Sequence, residues 1–364
     1  MIYLGLDVHH KSTTIVVVDE QGEVLESTKA PTTMQGLGQA LKKWFERQQG
    51  APCAMESGAK AYLVSSIIAE LGGAPKVFAA DEVHQKTRSQ KKKTDERDAY
   101  DLAQNLRSGA LRREVKLPPL AMQRLRKVLS VRQSFIKQRT QAVNGAKALL
   151  RECGADYGDG VLCTRRGWER LLAMPLAELD HQLLLAYQQA YAAAEEQVQQ
   201  LTKQAEELGE QAPQFAVLES IPGIGPLNRL AAAAWLFDVS RFPSGKYLAA
   251  YVGVVPAMYN SGQRERHGHI TREGPGLLRA LLVEAAQQAC RRSNPLYPFY
   301  ARLSARCGHK KAVVALANKL CRIFYALLTN QRAFDLERLG VEYKPTATTK
   351  VRLYRLQRRP ARAA

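Results

Sequence analysis

The chain has 364 residues, 46% of them hydrophobic, and carries 53 Lys and Arg against 34 Asp and Glu, a net charge of +19. That length supports two or three domains with their own cores. With no run of about twenty apolar residues and no charged-then-apolar leader, it reads as a soluble, cytoplasmic protein rather than a membrane or exported one. So large a cationic surplus favours a phosphate-rich partner, because neutralising phosphates releases condensed counterions.

Residues 2–7 and 13–19 are β-rich runs, and Gln21-Gly22 is a tight turn into a third run at 24–28. A helical pattern covers 34–47 and a short strand 51–56. Another helix covers 59–71, stopped by Gly72-Gly73, and a fifth strand 75–79. A basic loop then leads to a helix over 94–108. Three meandering strands followed by alternating helices and strands is the order of an RNase H-like (RuvC-like) α/β sheet, placed at 1–115.

The middle, 116–214, reads as helical. A helix over 125–152 has eight basic flanking residues (Arg124, Arg126, Lys127, Arg132, Lys137, Arg139, Lys147, Arg151), which suggests a face for nucleic acid. In the next helix Leu184, Tyr187, Tyr191, Ala194, Val198, Leu201, Ala205 and Leu208 step by 3 and 4 in turn. That is a heptad seam, predicting a coiled coil either folded on the first helix or between subunits.

From 215 to 335 an α-rich domain is expected. It opens on Ile221-Pro222-Gly223-Ile224-Gly225-Pro226, the pattern of a helix-hairpin-helix turn, in which Gly223 and Gly225 offer backbone N–H groups to a phosphate. The segment 336–364 is a basic tail. The six cysteines (Cys53, Cys153, Cys163, Cys290, Cys307, Cys321) form no metal pattern, so mostly buried free thiols and no structural zinc are expected.

Asp7 ends the first strand and Glu56 the fourth, and in the proposed sheet these strands are neighbours. Asp95 and Asp98, three apart near a helix start, share a face. Four converging carboxylates repel unless divalent cations neutralise them. Hard oxygen donors suit Mg²⁺ or Mn²⁺, and a pair of such ions can clamp a phosphodiester. Lys86, Arg88, Lys91, Lys92 and Lys93 would rim that site. Sugar kinases and chaperone ATPases share the opening Gly-Leu-Asp strand, but the Gly-rich phosphate loops they need later in the chain are missing.

Asp7, Glu56, Asp95 and Asp98, with Lys-Thr-Asp-Glu-Arg-Asp-Ala at 93–99, resemble the DEDD-type transposases of bacterial insertion sequences, relatives of the Piv DNA invertase. The stretch from Leu218 to the helix after Pro275 looks like that family's second signature, with Pro275 where Asn or Asp is usual. The resemblance implies a composite site in which Ser261, in Tyr-Asn-Ser-Gly, is the nucleophile on DNA, with Tyr259 the nearby alternative. Arg264, Arg266 and Arg272 would then contact phosphates, and His267 would be a phosphate contact, a proton carrier or a packing residue. It also implies a noncoding guide (bridge) RNA that pairs with donor and target DNA. That would fit a chain rich in backbone-binding charge yet lacking an evident base-reading motif. Dimers through the 184–208 seam, assembling to a tetramer, are expected. A RuvC-like junction resolvase using water, and a non-catalytic nucleic-acid binder, are the alternatives.

Overall fold

The computed structural model describes residues 1–87, 94–155, 157–158, 160–261 and 264–336, with the backbone alone for 85–87 and 258–267. The chain divides into two units, the first spanning Met1–Leu117.

In the first unit, strands β1 (Tyr3–Val8), β2 (Ser12–Val18) and β3 (Val24–Pro31) are followed by α1 (Met34–Arg47), β4 (Pro52–Glu56), α2 (Ala61–Glu70), β5 (Ala74–Phe78), α3 (Ala80–Thr87) and α4 (Asp95–Arg107). The sheet order is β3-β2-β1-β4-β5. The first three strands run antiparallel, and β4 and β5 run parallel to β1.

Alternation along the strands sets the two faces. Leu4, Leu6, Ile15, Val17, Cys53 and Met55 point to one face and are sealed by Leu37, Leu41 and Phe45 of α1 and by Val64 and Ile68 of α2. Each such side chain contributes about 1.5–3 kcal/mol on burial. On the other face Val16 and Val18 meet Ala99 and Ala103 of α4. Gly5 makes that contact possible, because a Cβ there would lie 1.9 Å from the Ala99 carbonyl oxygen and 2.5 Å from the Ala103 nitrogen.

Part of the expected basic loop is helical instead. α3 begins with Asp81 and Glu82, favoured by the helix dipole, and buries Val83 beside Phe78 and Leu102. The Glu82 carboxylate accepts from the Arg112 and Arg113 backbone N–H groups, and Arg113 pairs with Asp81.

In the second unit, α5 (Leu120–Glu152), α6 (Arg165–Leu172) and α7 (Glu178–Gly209) come first. α5 and α7 lie antiparallel. Gly145 leaves room for the Tyr187 ring, Arg139 pairs with Glu195, and Arg132 Nε donates to Thr202 Oγ1 at 2.7 Å. The seam residues Leu184, Ala194, Val198 and Ala205 are buried within the chain. The seam therefore closes on α5, and the dimer expected through it is not what these residues form. α6, which the helical reading of 116–214 did not single out, caps this pair with Trp168, buried 5.4 Å from the Tyr191 ring.

The basic flank of α5 is also partly turned inward. Besides Arg132 and Arg139, Arg126 Nε donates to the Ala234 carbonyl at 2.7 Å. Arg124, Lys127, Lys137 and Arg151 remain exposed.

Next come α8 (Pro226–Leu236), α9 (Gly245–Val252), the hairpin β6 (Pro256–Ser261) and β7 (Arg264–Ile270), α10 (Gly276–Ala289), α11 (Tyr297–Cys307) and α12 (His309–Asn330). The hairpin is an addition to the α-rich domain expected here. α12 is long and apolar enough to cross a membrane by length and composition, yet it buries Val313, Leu316, Leu320, Phe324 and Leu328 in the core of this unit. Met122, Leu125, Leu129 and Ala205 join the same core, so α5 and α7 are continuous with the region after 215 rather than a separate body. The run before Gly223 is a 3₁₀ helix, Pro213–Ser220, in place of the first α-helix of a helix-hairpin-helix. Of the six thiols only Cys53 and Cys321 are buried, and Cys163 is exposed.

Candidate active site

The site is built at the C-terminal ends of β1 and β4. In the sheet register Asp7 lies opposite Thr14, and Thr14 opposite Lys29. Leu6 is level with Met55, and one step further sets Asp7 beside Glu56. Lys29, Thr14, Asp7 and Glu56 thus form a row across four strands on the face that α4 covers. α4 starts over this row. Its N-cap Thr94 accepts from the Arg97 N–H at 3.3 Å, and its first turn carries Asp95, Glu96 and Asp98, where the helix dipole favours acids.

Asp7, His9 and Asp95 offer ligand atoms that all lie within 4.8 Å of one another. His9 Nε2 is 2.9 Å from Asp7 Oδ2 and 3.3 Å from Asp95 Oδ1. Lys29 Nζ donates to Asp95 Oδ2 at 2.9 Å. Burial pushes the Asp7 carboxyl above its ordinary range. His9 opposes this, while the charges of Asp95 and then Asp98 add to it. Asp95 is held below the ordinary range, first by its hydrogen bond from Lys29. Further along α4, desolvation raises Asp101.

Of the four expected acids, the structure brings Asp7 and Asp95 together and sets Asp98 within electrostatic reach of Asp7. Glu56 stands at the neighbouring strand end, where its Oε1 is 3.6 Å from His84 Nε2. It lies outside the tight group. His9 was missed. Its only signal was position, two residues past Asp7 in Asp-Val-His-His, which returns the side chain to the same edge.

The donor set fits a divalent cation. It offers hard carboxylate oxygens and an imidazole, with ligand atoms close enough to share one ion. Thr14 Oγ1, buried in the same row, has no hydrogen-bond partner among the described residues. Asp7, Asp95 and His9 would hold such an ion, with Asp98 and Glu56 adjacent.

In the second unit, β6 ends at Ser261, which pairs in register with Arg264 and so stands at the hairpin tip. Arg264, Arg266 and His267 lie along β7, with their side chains outside the described set, like that of Lys86 on α3. Arg88, Lys91, Lys92, Lys93 and the tail from 337 lie outside the described residues. Gly223 adopts φ +94°, and Asn294 Nδ2 donates to the Pro222 carbonyl at 3.1 Å, which locks the turn. Gly225 precedes α8 in extended conformation. Arg272 is exposed, with φ +56°.

Comparison with known proteins agrees with this layout. Residues 4–154 match a transposase family of the DEDD, IS110 type, and residues 216–301 match the family described as Transposase IS116/IS110/IS902. The chain is 29% identical over 268 residues, 69% of its own length and 71% of the relative's, to the transposase for insertion sequence element IS1111A of Coxiella burnetii. It is 27% identical over 350 residues, 91% of its length and 98% of the relative's, to a probable family 20 transposase of Pseudomonas aeruginosa. Over 123 residues, 33% of its length and 38% of the relative's, it is 32% identical to the pilin gene-inverting protein of Moraxella lacunata. With one transposase signature spanning the sheet unit and α5 and the other lying within the later helices, the chain belongs to the DEDD-type IS110/IS116 family of insertion-sequence transposases.

Proposed function

We propose that this transposase cuts and rejoins DNA by covalent catalysis, with Ser261 as nucleophile and a Mg²⁺ or Mn²⁺ site formed by Asp7, Asp95, Asp98 and Glu56, to which His9 is added. The observation that carries the reading is the tight group of Asp7, His9 and Asp95 at the end of β1. A bound divalent cation supplies charge neutralisation and polarisation of a phosphodiester there. The Ser261 hydroxyl attacks phosphorus and forms a phosphoserine ester. The strand end that it displaces leaves as a free hydroxyl, taking up the proton that the serine gives up, so no phosphoester bond energy is lost before rejoining. His9 and Lys29 keep Asp7 and Asp95 oriented.

Sequence choice is delegated to a guide RNA pairing with donor and target DNA, and strand exchange between two duplexes calls for several copies of the chain, up to a tetramer. Since the 184–208 seam is used within the chain, these copies meet through other surfaces.

The test is Ser261→Ala in a strand-cleavage assay with Mg²⁺. Loss of both cleavage and the covalent protein–DNA adduct is expected. Full cleavage by the variant would replace the serine mechanism with hydrolysis, as in a junction resolvase. Co-purification of one discrete RNA with the wild type tests the guide.

A further inference from the structure

The second unit contains a cavity of about 810 Å³ between the base of the β6–β7 hairpin and one face of α12. Arg272, Lys310, Lys311, Lys319 and Arg322 line it, and no acid does. None of the five forms an ion pair among the described residues. The neutral Asn318 Oδ1 accepts from Arg322 Nε at 3.1 Å. One wall is the Phe299 ring, with Lys319 Nζ 5.9 Å from its centroid. All five cations are exposed, so like charges crowd a concave site with no acid among its lining residues.

Arg272 adds a second sign. Its φ of +56° is a left-handed conformation that costs a non-glycine residue about 1–2 kcal/mol. It is enforced from both sides. Gly274, at φ +70°, packs against the Tyr251 carbonyl, and Gly253, at φ +75°, against the Glu273 backbone. The Arg272 N–H donates to the Gly253 carbonyl at 3.3 Å. The turn thus fixes the backbone from which this long cation lines the cleft.

We infer that this cleft binds the phosphodiester backbone of the DNA strand that the transposase acts on, with a base against Phe299. The inference rests on the function proposed above. The hairpin from Pro256 to Ser261 reaches about 17 Å beyond the cleft, at roughly 3.3 Å per residue. That corresponds to roughly five stacked nucleotides at 3.4 Å each. A strand anchored here is gripped several phosphates from the one presented at Ser261. The cleft therefore sets which phosphate reaches the serine, not how fast it reacts.

The experiment measures binding of the full chain to a labelled DNA strand of mixed sequence, to its duplex, and to the RNA of the same sequence, by fluorescence anisotropy over a salt series. Lys311→Gln/Arg322→Gln removes two phosphate contacts. The slope of log K against log salt should become shallower by roughly 1.4 for the single strand and roughly 1.8 for the duplex. The control Lys42→Gln/Lys76→Gln should leave it unchanged. A photo-crosslinking phenylalanine analogue at 299 should yield a DNA adduct, and this arm decides if the Gln pair does not fold. If the wild type binds DNA while the cleft variant keeps its slope, or if no adduct forms, the cleft assignment falls and the proposed function stands. A loss confined to RNA overturns it as well. If the wild type binds no DNA at all, both fall.

Discussion

Replacing Gly5 by alanine adds one methyl group where β1 and α4 touch backbone to backbone. The new Cβ would lie 1.9 Å from the Ala99 carbonyl oxygen and 2.5 Å from the Ala103 nitrogen. Ordinary carbon contacts need about 3.5 Å, so the start of α4 must retreat by roughly 1.5 Å. Neither neighbour is a side chain that can rotate away. Overpacking of this kind costs about 1–3 kcal/mol, a fall of roughly 4–12 °C in the melting temperature of a unit this size.

The larger effect is on the site. Asp95 and Asp98 ride on the displaced end of α4, whereas Asp7 stays with the sheet. Metal–ligand distances tolerate about 0.2 Å, and a misplacement of about 1 Å can cost 100-fold in rate. Gly5→Ala should therefore fold, melt lower, and lose about two orders of magnitude in Mg²⁺-dependent strand cleavage. Differential scanning calorimetry and a cleavage time course measure the two parts. A variant with wild-type melting and wild-type cleavage would refute the claim that close approach of α4 to Gly5 positions the carboxylates.

Asp7→Asn tests the charge balance. Burial and then the neighbouring acids, against the pull of His9, raise the Asp7 pKa above its unfolded value, so the folded state holds this proton to higher pH. Stability is lost as pH rises through that interval, and the loss is complete once the carboxyl is ionised in both states. The asparagine variant should thus melt higher than wild type at pH 7 without divalent cations and show no such gain below the ordinary carboxylate range. Added Mg²⁺ should raise the melting temperature of the wild type only. Gly223→Ala forces a side chain to φ +94°. It should cost about 1–2 kcal/mol, lowering the melting of the second unit by roughly 2–8 °C while Mg²⁺ stabilisation of the first persists.

The sheet was legible because its signals are local. Runs such as Thr-Ile-Val-Val-Val are rich in β-branched residues and end at turn residues, and Gly72-Gly73 punctuates a helix. Once that order is assigned, Asp7 and Glu56 must share an edge, and Asp95 and Asp98 must face it. His9 was not legible, because its ring reaches both carboxylates only through the path of the chain after β1. The β6–β7 hairpin escaped for the opposite reason. Arg-Glu-Arg-His has no apolar alternation, so its strand character comes from pairing rather than composition. The heptad seam was read as a coiled coil, on α5 or between subunits, and periodicity cannot name the partner. That took the ring of Tyr187 over Gly145 and the pairing of Arg139 with Glu195.

The way α7 spends its apolar stripe on α5 has a consequence for assembly. A protomer whose long helices already satisfy one another buries that stripe without a second copy, so the folding of this pair is not tied to assembly. On the function proposed above, copies that gather on nucleic acid can part again without laying bare this interior.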